Sequence, residues 1–280
     1  MKASKTRLWL YVLGTAVILG GLTSMSNADV PTITCYKDGA AVVVDGDLSE
    51  WDNMPQLNVI EIKPSTIGAT NGNNWSVVDD NDVTGQAAVA WDDKYFYVMA
   101  KVKDDAHDVA SANGETWWER DGVSYFFNLS KDKSGSAWED GDSSFTFDAD
   151  PSYPAYAVWW RKGRNSGKEE IVTADVITKV VLTGTKGDYI IEGAIPMGEK
   201  GLGGNNNFFV PPYEGKTIGF SVLILDADGA GTGAGWGQIM SAGNGDDQNT
   251  WGNLIFSGTV TAVNSADKLP MAWGSIKLRY

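Results

Sequence analysis

The sequence predicts an all-β protein, a two-sheet antiparallel β-sandwich of the jelly-roll or immunoglobulin-like kind with long loops. The first indication is Gln86–Asn128, where two runs of alternating side chains flank a short polar turn, Asp92-Asp93-Lys94. The second is composition: 12 Trp, 10 Tyr and 33 Gly in 280 residues are typical of aromatic-rich sheets joined by loops. The third is that few stretches show the spacing of an amphipathic helix.

The first 28 residues carry the pattern of a secretory signal peptide. Lys2, Lys5 and Arg7 form a basic region, Leu8–Leu22 is apolar or small throughout, and Ser26-Asn27-Ala28 offers small residues for cleavage. A retained membrane anchor would need roughly 20 apolar residues, and this run is shorter. We therefore expect a secreted protein, extracellular or periplasmic, with no membrane association after cleavage.

Residues 29–258 are expected to form one domain, because neither an internal repeat nor a clear linker divides them. Residues 259–280 form a C-terminal extension, either an edge strand or a sorting or docking segment. After the lead-in Asp29–Lys37, strands are predicted by alternation at Ala40–Val44, Leu57–Ile62, Gln86–Trp91, Tyr95–Val102, Gly122–Leu129, Ser143–Asp148, Ala155–Arg161, Glu170–Thr183, Asp188–Ile195, Thr217–Leu225, Asn253–Phe256 and Ser275–Leu278. Between the first two, Leu48 and Trp51 have the spacing of one helical turn that caps the sheet.

Charge and cysteine content restrict the partners. The formal net charge is −14, which argues against nucleic acid or anionic lipid as a partner. Cys35 is the single cysteine, so no internal disulfide exists and the core, helped by any bound metal, must hold the fold.

Catalysis finds little support in the sequence, and we expect no enzyme. His107 is the single histidine, which excludes a multi-histidine zinc site. No Gly-x-Ser-x-Gly motif, phosphate-binding loop or Cys-x-x-Cys-His motif occurs. Paired carboxylates are abundant, but 36 acidic residues produce such pairs by chance.

Seven short motifs together resemble the family 9 carbohydrate-binding modules and their wider β-sandwich relatives, the DOMON-like domains. In family order they are Val44–Trp51, Val89–Val98, Val102–Asp105, Trp118–Val123, Tyr189–Pro196, Ile218–Phe220 with Leu225–Asp228, and Trp251–Leu254. The resemblance implies the sandwich fold and non-catalytic binding of a polysaccharide or oligosaccharide held between two tryptophans. Trp118 matches the first tryptophan, whereas the loop Ser241–Thr250, where the second belongs, has none. Ser124 stands at a family glutamate and Thr146 at a family arginine.

The residues themselves indicate where a sugar could stack. A saccharide site needs a flat exposed aromatic ringed by polar groups. Trp117 and Trp118 are adjacent, so in a strand pattern at least one must face away from the core. The candidate carbohydrate-binding residues are Trp118, Trp117, Glu119, Ser124, Trp159, Arg161, Gln248 and Asn249. Trp51 and Trp91 fall in the core pattern and are expected to be structural.

Structural calcium is the expected cofactor, because members of the resembled family often carry it and carboxylate oxygens are its preferred ligands. Acidic groups occur at Asp79/Asp80/Asp82, Asp104/Asp105/Asp108, Glu139/Asp140/Asp142 and Asp226/Asp228, none with EF-hand spacing. We predict Asp104, Asp105, Asp226 and Asp228 as the ligands.

Two alternatives to saccharide binding remain open. The chain could be an exported surface or matrix protein that makes protein contacts through its acidic loops and the C-terminal segment 259–280. It could also be a haem-binding electron-transfer subunit, a role that the resemblance implies for some relatives with methionine and lysine ligands. Met99, Met197 and Met240 would then be the candidate methionines.

Overall fold

The computed structural model describes residues 31–38, 42–54, 56–67, 77–109, 117–131, 138–152, 158–163, 170–171, 175–184, 186–204, 209–228 and 236–258. The predicted signal peptide, the predicted extension 259–280 and the predicted strand Ser275–Leu278 lie outside these residues. No helix within the described residues is long and apolar enough to cross a bilayer. The fold is all-β, as predicted.

The described residues form thirteen strands and two short helices. The strands are β1 Thr32–Tyr36, β2 Ile60–Ile62, β3 Val83–Trp91, β4 Tyr95–Asp104, β5 Gly122–Asn128, β6 Asp142–Asp148, β7 Val158–Lys162, β8 Glu170–Ile171, β9 Ile177–Leu182, β10 Tyr189–Pro196, β11 Thr217–Ala227, β12 Trp236–Met240 and β13 Gly252–Ser257. The helices are α1 Ser49–Asp52 and α2 Pro64–Ile67, and 3₁₀ turns lie at Trp117–Glu119, Leu202–Gly204 and Gln248–Thr250.

The central hairpin follows directly from the local sequence. Trp91 and Phe96 close β3 against β4, and Asp92 Oδ1 accepts hydrogen bonds from the amides of Lys94 and Tyr95, each at 2.7 Å. Alternate β4 residues, including Phe96 and Val98, face the main core. The predicted hairpin and its polar turn are confirmed.

The strand order corrects the prediction of two antiparallel sheets. In the described part of the chain one continuous sheet runs β8-β7-β6-β5-β11-β13-β1-β3-β4-β10-β9, with β12 beside β11 and β2 beside β3. β1 pairs in parallel with both β13 and β3. The sheet is therefore mixed, because β1, predicted as a lead-in, hydrogen-bonds the two halves together.

Side chains from the two halves of this sheet meet in the main core. Phe96 of β4 contacts Phe127 of β5 with ring centroids 5.4 Å apart, edge to face. Gly193 of β10 lies against the ring of Phe147 in β6, where a Cβ would overlap that ring. Aromatic burial at this interface supplies much of the hydrophobic stabilisation in a domain without a disulfide.

The segment around α1 covers the other face of β3, β4 and β10. Trp51 is fully buried against Ala88, Ala90, Tyr97 and Met99. The predicted helical turn at Leu48–Trp51 is confirmed, and so is the burial of Trp51 and Trp91. The described residues 42–44 of the predicted strand Ala40–Val44 form no strand, because they belong to this covering segment.

Candidate functional site

A second buried cluster of aromatic and aliphatic side chains lies outside the main core, on β5, β11 and β12. We call it the tryptophan cluster; its members are Trp117, Phe126, Trp138, Leu223, Leu225, Met240 and Trp251, with Trp118 packed against it. The rings of Phe126, Trp138 and Trp251 meet pairwise with centroids 5.4 to 5.9 Å apart, in tilted edge-to-face geometry. These three contacts hold the rings of Phe126, Trp138 and Trp251 in defined orientations relative to one another.

Trp117 and Trp118 occupy the 3₁₀ turn that leads into β5, and they have different exposures. Trp117 is 9% exposed and lies inside the tryptophan cluster, whereas Trp118 is only partly buried. The two rings are perpendicular, with centroids 5.5 Å apart. Trp117 therefore supports the ring of Trp118 from below, and Trp118 presents the surface that a ligand can reach.

The loop 241–250 lies across the tryptophan cluster. Trp138 Nε1 donates a hydrogen bond to the Gly245 carbonyl at 3.0 Å, and Trp251 Nε1 donates to the Asn244 carbonyl at 2.7 Å. These two bonds satisfy the indole N–H groups of Trp138 and Trp251, and they hold the loop 241–250 against the tryptophan cluster. Asn244 and Asp246 remain exposed on it. Polar groups thus border an aromatic surface, although Trp138 and Trp251 are themselves buried.

Three of the predicted carbohydrate-binding residues have side chains engaged within the protein. Ser124 is fully buried in β5, and its hydroxyl is 2.6 Å from the hydroxyl of Thr146. Gln248 is also fully buried. Asn249 is partly buried, and its amide Nδ2 donates to Asp247 Oδ1 at 2.9 Å. Ser124 and Gln248 are out of reach of a ligand because neighbouring strands and loop cover them.

The other predicted residues have mixed positions. Glu119 is partly exposed on the turn that carries Trp118. Trp159 and Arg161 lie in β7, where Trp159 is in register with Thr146 and Arg161 with Ser144. Their side chains lie outside what the structure describes. Among the predicted residues whose side chains the structure describes, Trp118, Glu119 and Asn249 are therefore the ones that remain partly exposed.

A cluster of carboxylates forms at the end of the sheet where β4 and β11 finish and β3 begins. Asp104 ends β4, Asp226 lies near the end of β11, and Asp82 immediately precedes β3. Ligand oxygens lie within 4.8 Å of one another in two groups that share Asp228: Asp82, Asp105 and Asp228, and Asp104, Asp226 and Asp228. We call these five residues the acidic cluster.

Several oxygens of the acidic cluster lack a partner within the protein. Both oxygens of Asp226, Oδ2 of Asp104 and Oδ1 of Asp228 are buried without a hydrogen bond. Asp226 is 1% exposed and Asp104 is 3% exposed. No salt bridge joins a described lysine or arginine to these carboxylates. A buried anionic group without compensation is costly, so the arrangement fits a bound cation.

Burial changes the proton affinity of these carboxylates. It raises the pKa of Asp226 to about 8, and the neighbouring charge of Asp104 adds to the rise. It raises the pKa of Asp104 to about 7, although a hydrogen bond from the Ala106 amide opposes the rise. Without a cation the cluster can therefore relieve its repulsion by holding protons.

The donor set of the acidic cluster suits a hard divalent cation. Carboxylate oxygens from several chain segments, with flexible mono- or bidentate geometry, are the ligands that calcium prefers. The structure brings the four predicted residues together and adds Asp82. In the sequence, Asp82 stands in a different acidic group, Asp79-Asp80-Asn81-Asp82, and only the pairing of β3 with β4 brings it to Asp105.

The candidate methionines of the haem alternative do not meet. Met99 packs with Trp51, Met197 belongs to the main core and Met240 belongs to the tryptophan cluster. Each is buried among different neighbours. Their positions give no support to a shared haem pocket.

Comparison with known proteins gives one family. A family model described as carbohydrate family 9 binding domain-like matches residues 62–259. Endo-1,4-beta-xylanase C of Paenibacillus barcinonensis is 32% identical over 166 residues, which cover 56% of this chain and 12% of that protein. Exoglucanase XynX of Acetivibrio thermocellus is 28% identical over 201 residues, 70% of this chain and 16% of that protein. The chain thus spans less than a fifth of either relative.

Solved structures share the fold. A family 9 carbohydrate binding module from Caldicellulosiruptor kristjanssonii in complex with cellotriose aligns with a TM-score of 0.54 and 18% identity. The alignment covers 84% of this chain and 97% of that module. The module in complex with glucose aligns with a TM-score of 0.53. At this identity the likeness extends to the fold alone.

Proposed function

Since the chain belongs to the carbohydrate family 9 binding domain-like family, we propose that it is an exported, non-catalytic saccharide-binding protein whose stacking platform is Trp118. One observation carries the assignment of the platform. Among the tryptophans whose side chains the structure describes, Trp118 is the one that is not buried. An aromatic face that is partly open to solvent and held from below can stack on the apolar CH face of a sugar ring.

The surroundings of Trp118 support this role. Trp117 packs edge-on against it, so the ring loses little further freedom on binding. Glu119 on the same turn, and Asn244 and Asp246 on the loop 241–250, offer carboxylate and amide groups for sugar hydroxyls. The family's second tryptophan has no counterpart in that loop, so stacking on one face with polar contacts around it is the expected mode.

The relatives and neighbours suggest the ligand class. Two curated relatives are named as a xylanase and an exoglucanase, and a structural neighbour was solved with cellotriose. We therefore propose a β-linked glucan or xylan oligosaccharide as the ligand. The alternative of protein contacts through residues 259–280 falls outside the described residues and gains no structural support.

We also propose that the acidic cluster binds structural calcium. Five carboxylates on three chain segments, with buried oxygens that lack partners, would supply the ligands. Bound calcium would neutralise these charges and tie the ends of β4 and β11 to the start of β3. In a domain that has no disulfide, this would add stability without taking part in stacking.

The stacking proposal is tested by titrating cellotriose, xylotriose and glucose into the protein in calorimetry, beside Trp118→Ala and a control. Tyr95→Ala is the control, since Tyr95 is another partly buried aromatic and packs near Trp51 on a different face. We expect Trp118→Ala to weaken binding by about 30-fold or more, as for other central aromatic contacts, and Tyr95→Ala to leave it unchanged. Binding that survives in Trp118→Ala, or no saturable binding in any titration, would overturn the assignment.

The calcium proposal is tested by adding calcium to EDTA-treated protein and following the melting temperature. Calcium should raise it in the unaltered protein and in Asp93→Asn, because Asp93 lies in the turn at the opposite end of β3 and β4. Asp226→Asn should lose most of the rise. An equal rise in Asp226→Asn would show that calcium binds elsewhere.

A further inference from the structure

We propose that Asp121 is a positioning residue that couples cation occupancy of the acidic cluster to the placement of Trp118, so that the affinity for saccharide depends on the cation. This inference deepens the proposed function and rests on both of its sites. Asp121 lies three residues after Trp118 and immediately before β5. It is 1% exposed, and its carboxylate contacts two segments that carry the acidic cluster, the chain after β4 and the end of β11.

The first contact is with the chain that follows β4. The amide of Asp108 donates to Asp121 Oδ2 at 2.6 Å, and the amide of Asp121 donates back to the Asp108 carbonyl at 2.9 Å. Asp108 lies three residues after Asp105, which is a member of the acidic cluster. His107 Nδ1 is 3.6 Å from the same oxygen of Asp121. Any shift of residues 105–108 is thus transmitted to Asp121.

The second contact is with the end of β11. The amide of Ala227 donates to Asp121 Oδ1 at 2.8 Å, and Ala227 stands between Asp226 and Asp228 of the acidic cluster. One carboxylate therefore accepts a hydrogen bond from each of the two segments that carry the acidic cluster. Both bonds are short and directional, so the position of the Asp121 carboxyl group depends on both segments.

The chain between Asp121 and the 3₁₀ turn also makes hydrogen bonds, with the end of β6. Arg120 Nε donates to Asp148 Oδ2 at 2.6 Å, and the Ala149 amide donates to the Asp121 carbonyl at 3.0 Å. These bonds join residues 120 and 121 to the end of β6, and Glu119 alone separates Arg120 from Trp118. The turn Trp117–Glu119 begins directly before them, and it contacts β11 as well. Trp118 is thus joined to the segments of the acidic cluster through residues 119–121 and the hydrogen bonds of Asp121.

Removal of the cation would alter the two hydrogen bonds that the Asp121 carboxyl group accepts. Close carboxylates without a counter-ion repel one another strongly at low effective dielectric, so the segments that carry them move apart. The Asp108 and Ala227 amides then no longer converge on one carboxylate with the same geometry. Because Asp121 belongs to the segment that sets the turn, Trp118 loses its fixed position. By linkage, bound saccharide must raise the cation affinity by the same factor.

Amide hydrogen exchange of residues 117–121 is the first test, with calcium alone as the probe. In the unaltered protein, calcium should slow exchange in this turn. Asp121→Asn should bind calcium but lose that protection, because the Asn amide replaces one accepting oxygen by a donor that faces an N–H group. Glu192→Gln is the matched control: Glu192 is a buried carboxylate that also accepts two backbone amides, those of Asp45 and Gly46, and it should keep the effect.

Calorimetry with cellotriose is the second test, with and without calcium. The affinity of the unaltered protein and of Glu192→Gln should fall at least about 5-fold in EDTA, whereas Asp121→Asn should show the same affinity in both conditions. Calcium that binds without changing either the exchange or the affinity of the unaltered protein would overturn the coupling while both sites stand. Calcium-dependent protection without any saccharide binding would leave the coupling of the turn standing and reject the stacking site. No calcium binding would reject the coupling together with the cation site.

Discussion

The indole Nε1 of Trp51 in α1 donates a hydrogen bond to Glu192 Oε1 in β10 at 2.7 Å, although the two residues are 141 positions apart in the chain. Glu192 Oε2 accepts the amides of Asp45 and Gly46 at 3.1 and 2.5 Å. One buried carboxylate therefore binds the whole covering segment to the sheet. The Asp45-Gly46-Asp47 turn and Trp51 are held together by tertiary contacts to Glu192.

Trp51→Phe should destabilise the fold by about 1–3 kcal/mol, because it leaves one oxygen of the buried Glu192 without its donor. Urea denaturation followed by fluorescence measures the free energy of unfolding. Trp91→Phe is the matched control, since Trp91 Nε1 donates at 3.1 Å to a neutral acceptor, the Ser257 carbonyl. It should cost less, about 1 kcal/mol. Equal losses of unfolding free energy would show that the bond from Trp51 to the Glu192 carboxylate contributes no more than the bond from Trp91 to a neutral carbonyl.

Trp117→Ala and Trp118→Ala should separate stability from binding. Trp117 is buried inside the tryptophan cluster, so its truncation leaves a cavity and should cost about 3–5 kcal/mol of unfolding free energy. Trp118 is partly exposed, and its truncation should cost about 1–2 kcal/mol. Chemical denaturation of both variants measures this order. A larger loss in Trp118→Ala would mean that Trp118, rather than Trp117, is the structural member of the pair.

The cation-free protein should lose stability as the pH rises from about 4 to about 8. Burial raises the pKa of Asp226 to about 8 and that of Asp104 to about 7, so in this range the folded state binds more protons than the unfolded state. Stability is therefore highest on the acid side of the window, and the melting temperature in EDTA should fall by at least about 5 °C across it.

Calcium and Asp226→Asn provide the controls for that pH series. With saturating calcium the trend should reverse, because the ligands must be deprotonated to bind. In EDTA, the melting temperature of Asp226→Asn should fall less across this range, because the substitution removes a buried carboxyl group whose pKa is raised to about 8. A melting temperature that rises from pH 4 to pH 8 without calcium would contradict the protonated state of the cluster.

Gly193→Ala tests the packing between the two halves of the sheet. A Cβ at Gly193 of β10 would overlap the ring of Phe147 in β6, so the substitution should cost about 1–3 kcal/mol through overpacking. Gly198→Ala is the control, because a Cβ there meets no atom within 4 Å. Thermal unfolding measures the melting temperature of both variants, and Gly193→Ala should melt at the lower temperature. Equal melting temperatures would show that the halves separate easily at β10.

Local patterns were enough to predict much of the sheet. The hairpin of β3 and β4, the position of β5 and the covering turn at Trp51 all depend on alternation, turn residues and spacing within short stretches. The strands β1 and β12 are not predicted by local patterns, because each forms through pairing with another strand. β1 has five residues and acquires its role from parallel pairing with β13, and β12 lies within a stretch that reads as a glycine-rich loop and pairs with β11.

Two features of the site follow from neighbouring positions in the chain: one of two adjacent tryptophans must leave the core, and acidic residues lie at strand ends. Only the three-dimensional packing shows that Trp117 is buried and Trp118 accessible, because the tryptophan cluster encloses Trp117 and leaves Trp118 at its edge. It likewise decided that Asp82 meets Asp105 and Asp228, and that Asp121 lies between the loops. The register of distant strands sets these distances, and no local pattern encodes that register.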